Sequence, residues 1–303
     1  MGRYRLDRCV GAGAFATVWQ GYDPELDAPV AVKVLADNWV RDADVRERFL
    51  SEARLLHRIE SRRVVRVHDV GVADARPYFV MDFVGGGTLA DLVGEVEPDE
   101  AVRLAVEAAE AVHVLHTAGV VHRDIKPSNL LLDRSGDPVR VLVADLGSAK
   151  RLADATGYTV TTGTPAYMAP EQADGETGFD GRADVYSLAV VTWELLTGQR
   201  PDPAPTTTRA RHPRRHEERT PRSAPPAPPG VDPRLVRVLV ASLDRDPERR
   251  PRDAAAFAQA LLGARTADGP SSAAGAAGWS AWLVGVVALV VFALAVLLGW
   301  LLL

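Results

Sequence analysis

The chain has almost no cysteine. Cys9 is the single thiol in 303 residues, which excludes an internal disulfide framework and fits a reducing compartment. It has no excess of positive charge either. The formal net charge is −5, which argues against bulk binding of nucleic acid. The opening stretch MGRYRLDRCVGAGAF lacks the apolar run of a secretory signal. Leu6 stands where a myristoylation signal carries Ser or Thr. The remaining composition is ordinary for a globular protein, 47% hydrophobic and 25% charged. The length allows one large domain or two lobes.

One stretch lacks charge altogether. Residues 279–303 read WSAWLVGVVALVVFALAVLLGWLLL. As a helix rising about 1.5 Å per residue, this segment would reach roughly 37 Å, enough to cross a hydrocarbon core of about 30 Å. Trp279, Trp282 and Trp300 lie towards its ends, where indole rings favour the membrane interface. A buried core helix is the competing reading, but a domain of this size rarely hides so long a helix that is apolar all round. Residues 263–278, rich in Gly, Ala and Ser, read as a linker. The sequence therefore predicts a soluble body tethered by a C-terminal transmembrane helix, with no domain beyond it. Gly285 and Gly299 do not form a small-xxx-small pair, so a helix dimer in the membrane is not expected.

In the body, YRLDRCVGAGAFATVWQ reads as strand, glycine turn, strand, and Gly11 and Gly13 allow close backbone approach. On its own this is a hairpin turn. APVAVKVL is an apolar strand interrupted by Lys33; a lone Lys on a strand is most often an edge or solvent-facing residue. A helix follows over DADVRERFLSEARLLHRI, with Phe49, Leu50, Ala53, Leu56 and Ile59 as its apolar stripe. Glu52 sits close to that stripe, where a carboxylate is costly unless paired, and Lys33 is its natural partner. Two strand-like segments, VVRVHDVGV and RPYFVMDFV, precede a helix over PDEAVRLAVEAAEAVHVLHTAG with a glycine stop. VVHRDIKPSNLLL then leads into the strand VRVLVADLGSA. A hairpin of the two short strands would bring Asn129 near Asp145. Such hard oxygen ligands suit Mg²⁺, which takes few carboxylates together with phosphate oxygens.

VGAGAFATV, AVKV, Glu52, HRDIKPSN, DLG, GTPAYMAPE and DVYSLAVVTWELLTG occur in this order. In that ordered set the chain resembles the eukaryotic-type serine/threonine protein kinases that bacteria carry on their membranes. The resemblance spans roughly residues 4–262. It implies a bilobal α+β fold, with a β-rich N-lobe over 4–84 and a helical C-lobe over 85–262. It also implies transfer of the γ-phosphate of ATP to Ser and Thr hydroxyls of protein substrates, using Mg²⁺. Val10, Gly11, Ala12, Gly13, Ala14, Phe15, Ala16, Thr17 and Val18 would form the loop over the phosphates. Lys33 would hold the α- and β-phosphates and pair with Glu52. Asp124 would orient the substrate hydroxyl as base, and Lys126 would neutralise the transferring group. Asn129 and Asp145 would hold Mg²⁺. Leu131 would lie under the adenine, Val18 and Ala31 above it, and Met81, Asp82 and Val84 would belong to the hinge. Arg123 would meet a phosphate on the activation loop, where Thr159, Thr161 and Thr162 are candidate phosphosites. Thr164 would contact the catalytic Asp. Glu171 would pair with Arg250, and Asp184 would receive amides of the catalytic loop.

The chain departs from the family pattern in three places. Ala16 stands at the third glycine of the nucleotide loop, and Leu146 replaces the usual Phe beside the metal-binding Asp. Residues 200–230 are dense in Pro and Arg where a short helix is usual. Three readings stand for that segment: a disordered loop, a basic patch for acidic lipid headgroups, or a dock for acidic substrates. The kinase body is expected to face the cytoplasm, because ATP is there, and Arg265 lies on the near side of the span. Concentration on a membrane would favour a transient homodimer and autophosphorylation in trans. The alternatives are a pseudokinase scaffold at the membrane, which loss of Lys33, Asp124 or Asp145 would favour, and a small-molecule phosphotransferase, which would not be expected to carry HRDIKPSN together with APE.

Overall fold

The computed structural model describes residues 1–146, 165–174, 178, 180–201 and 231–266. Five strands come first: β1 (Arg5–Ala12), β2 (Ala16–Asp23), β3 (Ala28–Leu35), β4 (Val67–Ala73) and β5 (Arg76–Asp82). They form one antiparallel sheet in the order β1-β2-β3-β5-β4. The central strand β3 is covered on both faces, which explains its nearly unbroken apolar run. Val30, Val32 and Val34 join Tyr4, Tyr78 and Val80 in an outer cluster. Ala31 and Leu35 face the main core. By the two-residue period of a strand, Lys33 shares the face of Ala31 and Leu35. It is therefore not an edge residue but a buried one, 9% exposed.

Helix α1 (Ala43–His57) starts where the Asp42 carboxylate accepts from the backbone N–H of Asp44 and Val45, an N-cap that satisfies two otherwise orphan donors. Its buried stripe is Val45, Phe49, Glu52, Ala53 and Leu56. Phe49 packs on Phe79 of β5, with ring centroids 5.0 Å apart. This contact docks α1 on the sheet and turns Glu52 inward with its apolar neighbours. Leu50 is only half-buried, and Ile59 lies past the helix end.

The helical lobe is built on α2 (Pro98–Thr117) and α3 (Arg182–Thr197). Ten residues of α2 are buried along one broad face, with Arg103, Glu107 and Glu110 on the other. Gly119, at φ +73°, stops it. β6 (Leu130–Asp133) and β7 (Arg140–Val143) form the expected antiparallel hairpin. Helices α4 (Pro233–Ser242) and α5 (Ala254–Thr266) complete the lobe. The guanidinium of Arg250 makes two bonds, 2.7 and 2.8 Å, to the Glu171 carboxylate. Both side chains are buried.

The chain therefore has a lobe built on a five-stranded sheet and a helical lobe, as expected. Among the described residues no helix is long and apolar enough to cross a membrane. The segment 279–303 lies outside the described residues, as do the linker from residue 267 onward and nearly all of 200–230.

Candidate active site

Lys33 is the point where the two lobes meet. Its ammonium lies 2.8 Å from Glu52 Oε1 and 2.9 Å from Asp145 Oδ1. β3 supplies the cation, α1 one carboxylate, and the segment after β7 the other. Burial disfavours charge on Lys33, but Asp145 and Glu52 outweigh it, so the lysine holds its proton more firmly than usual. Burial, with Asp145 nearby, pushes the Glu52 carboxyl up to about 7 against the pull of Lys33. Two carboxylates share one ammonium, and the surplus negative charge is partly buried. A further cation at Asp145 would relieve it.

The loop 122–129 lies on the C-lobe side. Asp184 of α3, fully buried, accepts three bonds. They come from the backbone N–H of Arg123 at 2.7 Å, that of His122 at 2.8 Å, and His116 Nε2 at 2.9 Å. His122 continues the chain of contacts. Its Nδ1 accepts from the Asp124 N–H at 3.2 Å, so Nε2 must carry the proton donated to the Ala144 carbonyl at 3.0 Å. One neutral imidazole thereby ties Asp124 to the residue preceding Asp145. Arg123 and Asp145 adopt the left-handed region, at φ +69° and +58°, a strained conformation for non-glycine residues that the surrounding bonds hold in place.

Asp124, Lys126 and Asn129 converge. Lys126 Nζ lies 3.0 Å from Asp124 Oδ2. The Asn129 amide donates to the Asp124 carbonyl oxygen at 2.8 Å and to its Oδ2 at 3.3 Å. Those bonds commit the nitrogen of Asn129, which leaves its Oδ1 as the group for a cation. The register of the hairpin pairs Leu130 with Val143, and Ala144 N–H donates to the Asn129 carbonyl at 3.0 Å. Asn129 and Asp145 are thereby brought to the same end of the hairpin. Their oxygens are the hard donor set that Mg²⁺ uses with substrate phosphates. Among the described residues there is no group of three or more His, Cys, Asp or Glu able to hold a metal.

The residues expected to line the nucleotide cleft differ in burial. Ala31 and Met81 are buried, and Val18, Val84 and Leu131 are half-buried against the core. The Asp82 carboxylate turns outward to His68, 2.6 Å away, and to the Arg66 N–H, so only its backbone is left for the cleft. Gly11, Ala12 and Gly13 are exposed, and Val10 is 42% exposed. The Gly13 N–H bonds the Ala16 carbonyl at 2.9 Å and closes the turn. Leu146 is buried in the core, filling the apolar slot its replacement of Phe required.

Burial lowers the pKa of Arg123, against the pull of Asp184. The candidate phosphosites it was expected to meet, Thr159, Thr161 and Thr162, lie outside the described residues, as does Thr164, the expected contact of Asp124. Three contributors were not assigned a role from the sequence. His122 sat inside the recognised motif. His116 and Gln172, whose side chain donates to the Arg123 carbonyl at 3.2 Å, carried no local signal.

The family model described as "protein kinase domain" matches residues 4–262. The serine/threonine-protein kinase PknJ of Mycobacterium tuberculosis is 38% identical over 267 residues, covering 86% of this chain and 45% of the relative. PknB of Mycolicibacterium smegmatis is 36% identical over 289 residues, covering 89% and 44%. The chain thus spans a little under half the length of these relatives. Among solved structures, the kinase domain of M. tuberculosis PknI is similar at a TM-score of 0.66 and 28% identity, covering 86% of this chain and 96% of that one.

Proposed function

The chain belongs to the protein kinase domain family, and on that premise we propose that it transfers the γ-phosphoryl group of ATP to serine and threonine hydroxyls of proteins. The observation that carries this reading is the convergence of Asp124, Lys126 and Asn129 on one loop, with Lys33 held between Glu52 and Asp145 across the cleft. Phosphoryl transfer demands positioning and charge neutralisation more than covalent chemistry. Lys33, fixed by two carboxylates, has one position from which to meet the phosphates. Asp124, held by Asn129 and by the backbone bond to His122, orients the attacking hydroxyl. Lys126 beside it offsets charge on the transferring group. Asn129 and Asp145 would hold Mg²⁺, which when bound neutralises phosphate charge. None of these side chains is lost, so a pseudokinase scaffold has no support here.

Incubation of the purified chain with labelled ATP and Mg²⁺ should place label on Ser or Thr of a protein substrate. Asp124→Asn should reduce transfer by about 10²-fold or more while the protein stays folded. Label on folded wild-type protein at the level of that variant would refute the kinase reading.

The surrounding biology belongs to the same proposal. Residues 279–303 would anchor the chain in a membrane with the kinase in the cytoplasm, as their uncharged length supports. Full-length chain should sediment with membranes and resist alkaline washing, and a chain ending at residue 278 should not. Neighbouring copies on the membrane would phosphorylate Thr159, Thr161 or Thr162 in trans. Phosphopeptide maps of wild-type protein and Asp124→Asn would differ at those threonines.

A further inference from the structure

The nucleotide loop is held by more than its own glycines. Trp39 lies in the short helical turn Asp37–Trp39, between β3 and α1. Its indole N–H donates to the Ala14 carbonyl at 2.9 Å. Its ring stacks on Phe15, with centroids 5.1 Å apart and planes 27° apart. The Phe15 carbonyl in turn accepts from the Ala36 N–H at 2.9 Å. The tip of the loop is therefore fastened at two consecutive residues to the link that follows Lys33 and precedes the helix of Glu52. That link is itself ordered. Trp39 N–H bonds the Ala36 carbonyl at 2.9 Å, and the Asp42 N–H bonds the Trp39 carbonyl at 3.1 Å. Asp42 is the N-cap of α1.

We propose that Trp39 is a positioning residue for the nucleotide, a clamp that holds the tip of the glycine loop down and ties its closure to the seating of α1 and the Lys33–Glu52 pair. The proposal rests on the ATP reading given above. A glycine loop of exposed residues has many conformations, and only those with backbone amides facing the phosphates bind them. Holding Ala14 and Phe15 from outside the loop reduces that freedom before the nucleotide arrives. Affinity for the nucleotide should therefore depend on a side chain that need not touch it. The same link makes the coupling two-way. A nucleotide that pulls the loop down should also favour α1 in its docked position.

The test uses the full-length chain, Trp39→Phe and Trp39→Leu. Affinity for Mg-ADP is read by displacement of a fluorescent ADP analogue, KM for ATP and kcat by label transfer, and folding by melting without nucleotide. Trp39→Leu loses both the hydrogen bond and the ring stack, and should weaken Mg-ADP by about fivefold to tenfold and raise KM to match, with kcat changed less than about twofold. Trp39→Phe keeps a ring against Phe15 and should weaken binding by about twofold to threefold. A purely structural role would lower the melting temperature with Mg-ADP affinity unchanged, and that result overturns the proposal. Should Trp39→Leu fail to fold, unchanged Mg-ADP affinity and KM in Trp39→Phe overturn it equally. Wild-type chain that binds no Mg-ADP defeats the kinase reading and the clamp together, whereas wild-type binding matched by both variants defeats the clamp alone.

Discussion

Glu52 shows how one side chain can serve two masters. It is buried with the apolar stripe of α1, yet its carboxyl meets Lys33. Its folded pKa, about 7, stands above the ordinary value of 4.5. The folded state therefore binds this proton more tightly than the unfolded chain does. Its contribution to stability is complete below the unfolded value and is lost as pH rises through about 7. Denaturant unfolding of the nucleotide-free protein should show stability falling between about pH 5 and pH 8. Glu52→Gln, which has no proton to lose, should fall less steeply over the same range. Parallel slopes would mean that the ammonium of Lys33 fully compensates the carboxylate.

At the scale of elements, the loop 122–129 is mounted on α3 rather than on its own hairpin. Asp184 offers two carboxylate oxygens to three donors, from His116, His122 and Arg123. Asp184→Asn keeps one oxygen and turns an NH₂ group towards donors. Leaving a buried donor unsatisfied costs about 1–3 kcal/mol. The variant should lose roughly that much stability to denaturant and should transfer label more slowly at temperatures where it remains folded. Wild-type rates in a destabilised variant would show that α3 supports the fold but not the geometry of the loop. The hairpin is a different case. Its strands were legible in LLL and VRVLV, and so was the placing of Asn129 and Asp145 at one end of it. The helix carrying Asp184 was legible as a helix, but no local pattern revealed that His116 would reach it from α2.

For the whole molecule, the pair Glu171–Arg250 joins the short helical turn Pro170–Ala173 to the segment between α4 and α5. Arg250 also donates to the carbonyls of Asp244, Arg182 and Arg245. Arg250→Ala leaves the Glu171 carboxylate buried without its countercharge, a loss of about 3–5 kcal/mol. Replacing both partners, with Glu171→Leu and Arg250→Met, should restore part of it, because no uncompensated charge remains. Equal destabilisation of the single and double variants, read by denaturant midpoint, would show that the three carbonyl contacts matter more than the ion pair.

The order of residue types along the chain was enough, by itself, to determine the kinase family and the loop 120–132, because those groups stand within a few positions of one another. The amphipathic stripe of α1 and the unbroken apolar run of β3 also declared themselves locally. The pairing of Lys33 with Glu52, 19 positions away, was also legible. Its burial and its second partner Asp145, 112 positions away, were not, because an isolated strand with one lysine reads as an edge. Only the closing of the sheet over both faces of β3, and the docking of α1 through Phe49 on Phe79, buried that lysine and left it with two carboxylates. The stacking of Trp39 on Phe15 was decided in the same way, since contacts between distant segments depend on how elements pack and not on any spacing that a sequence displays.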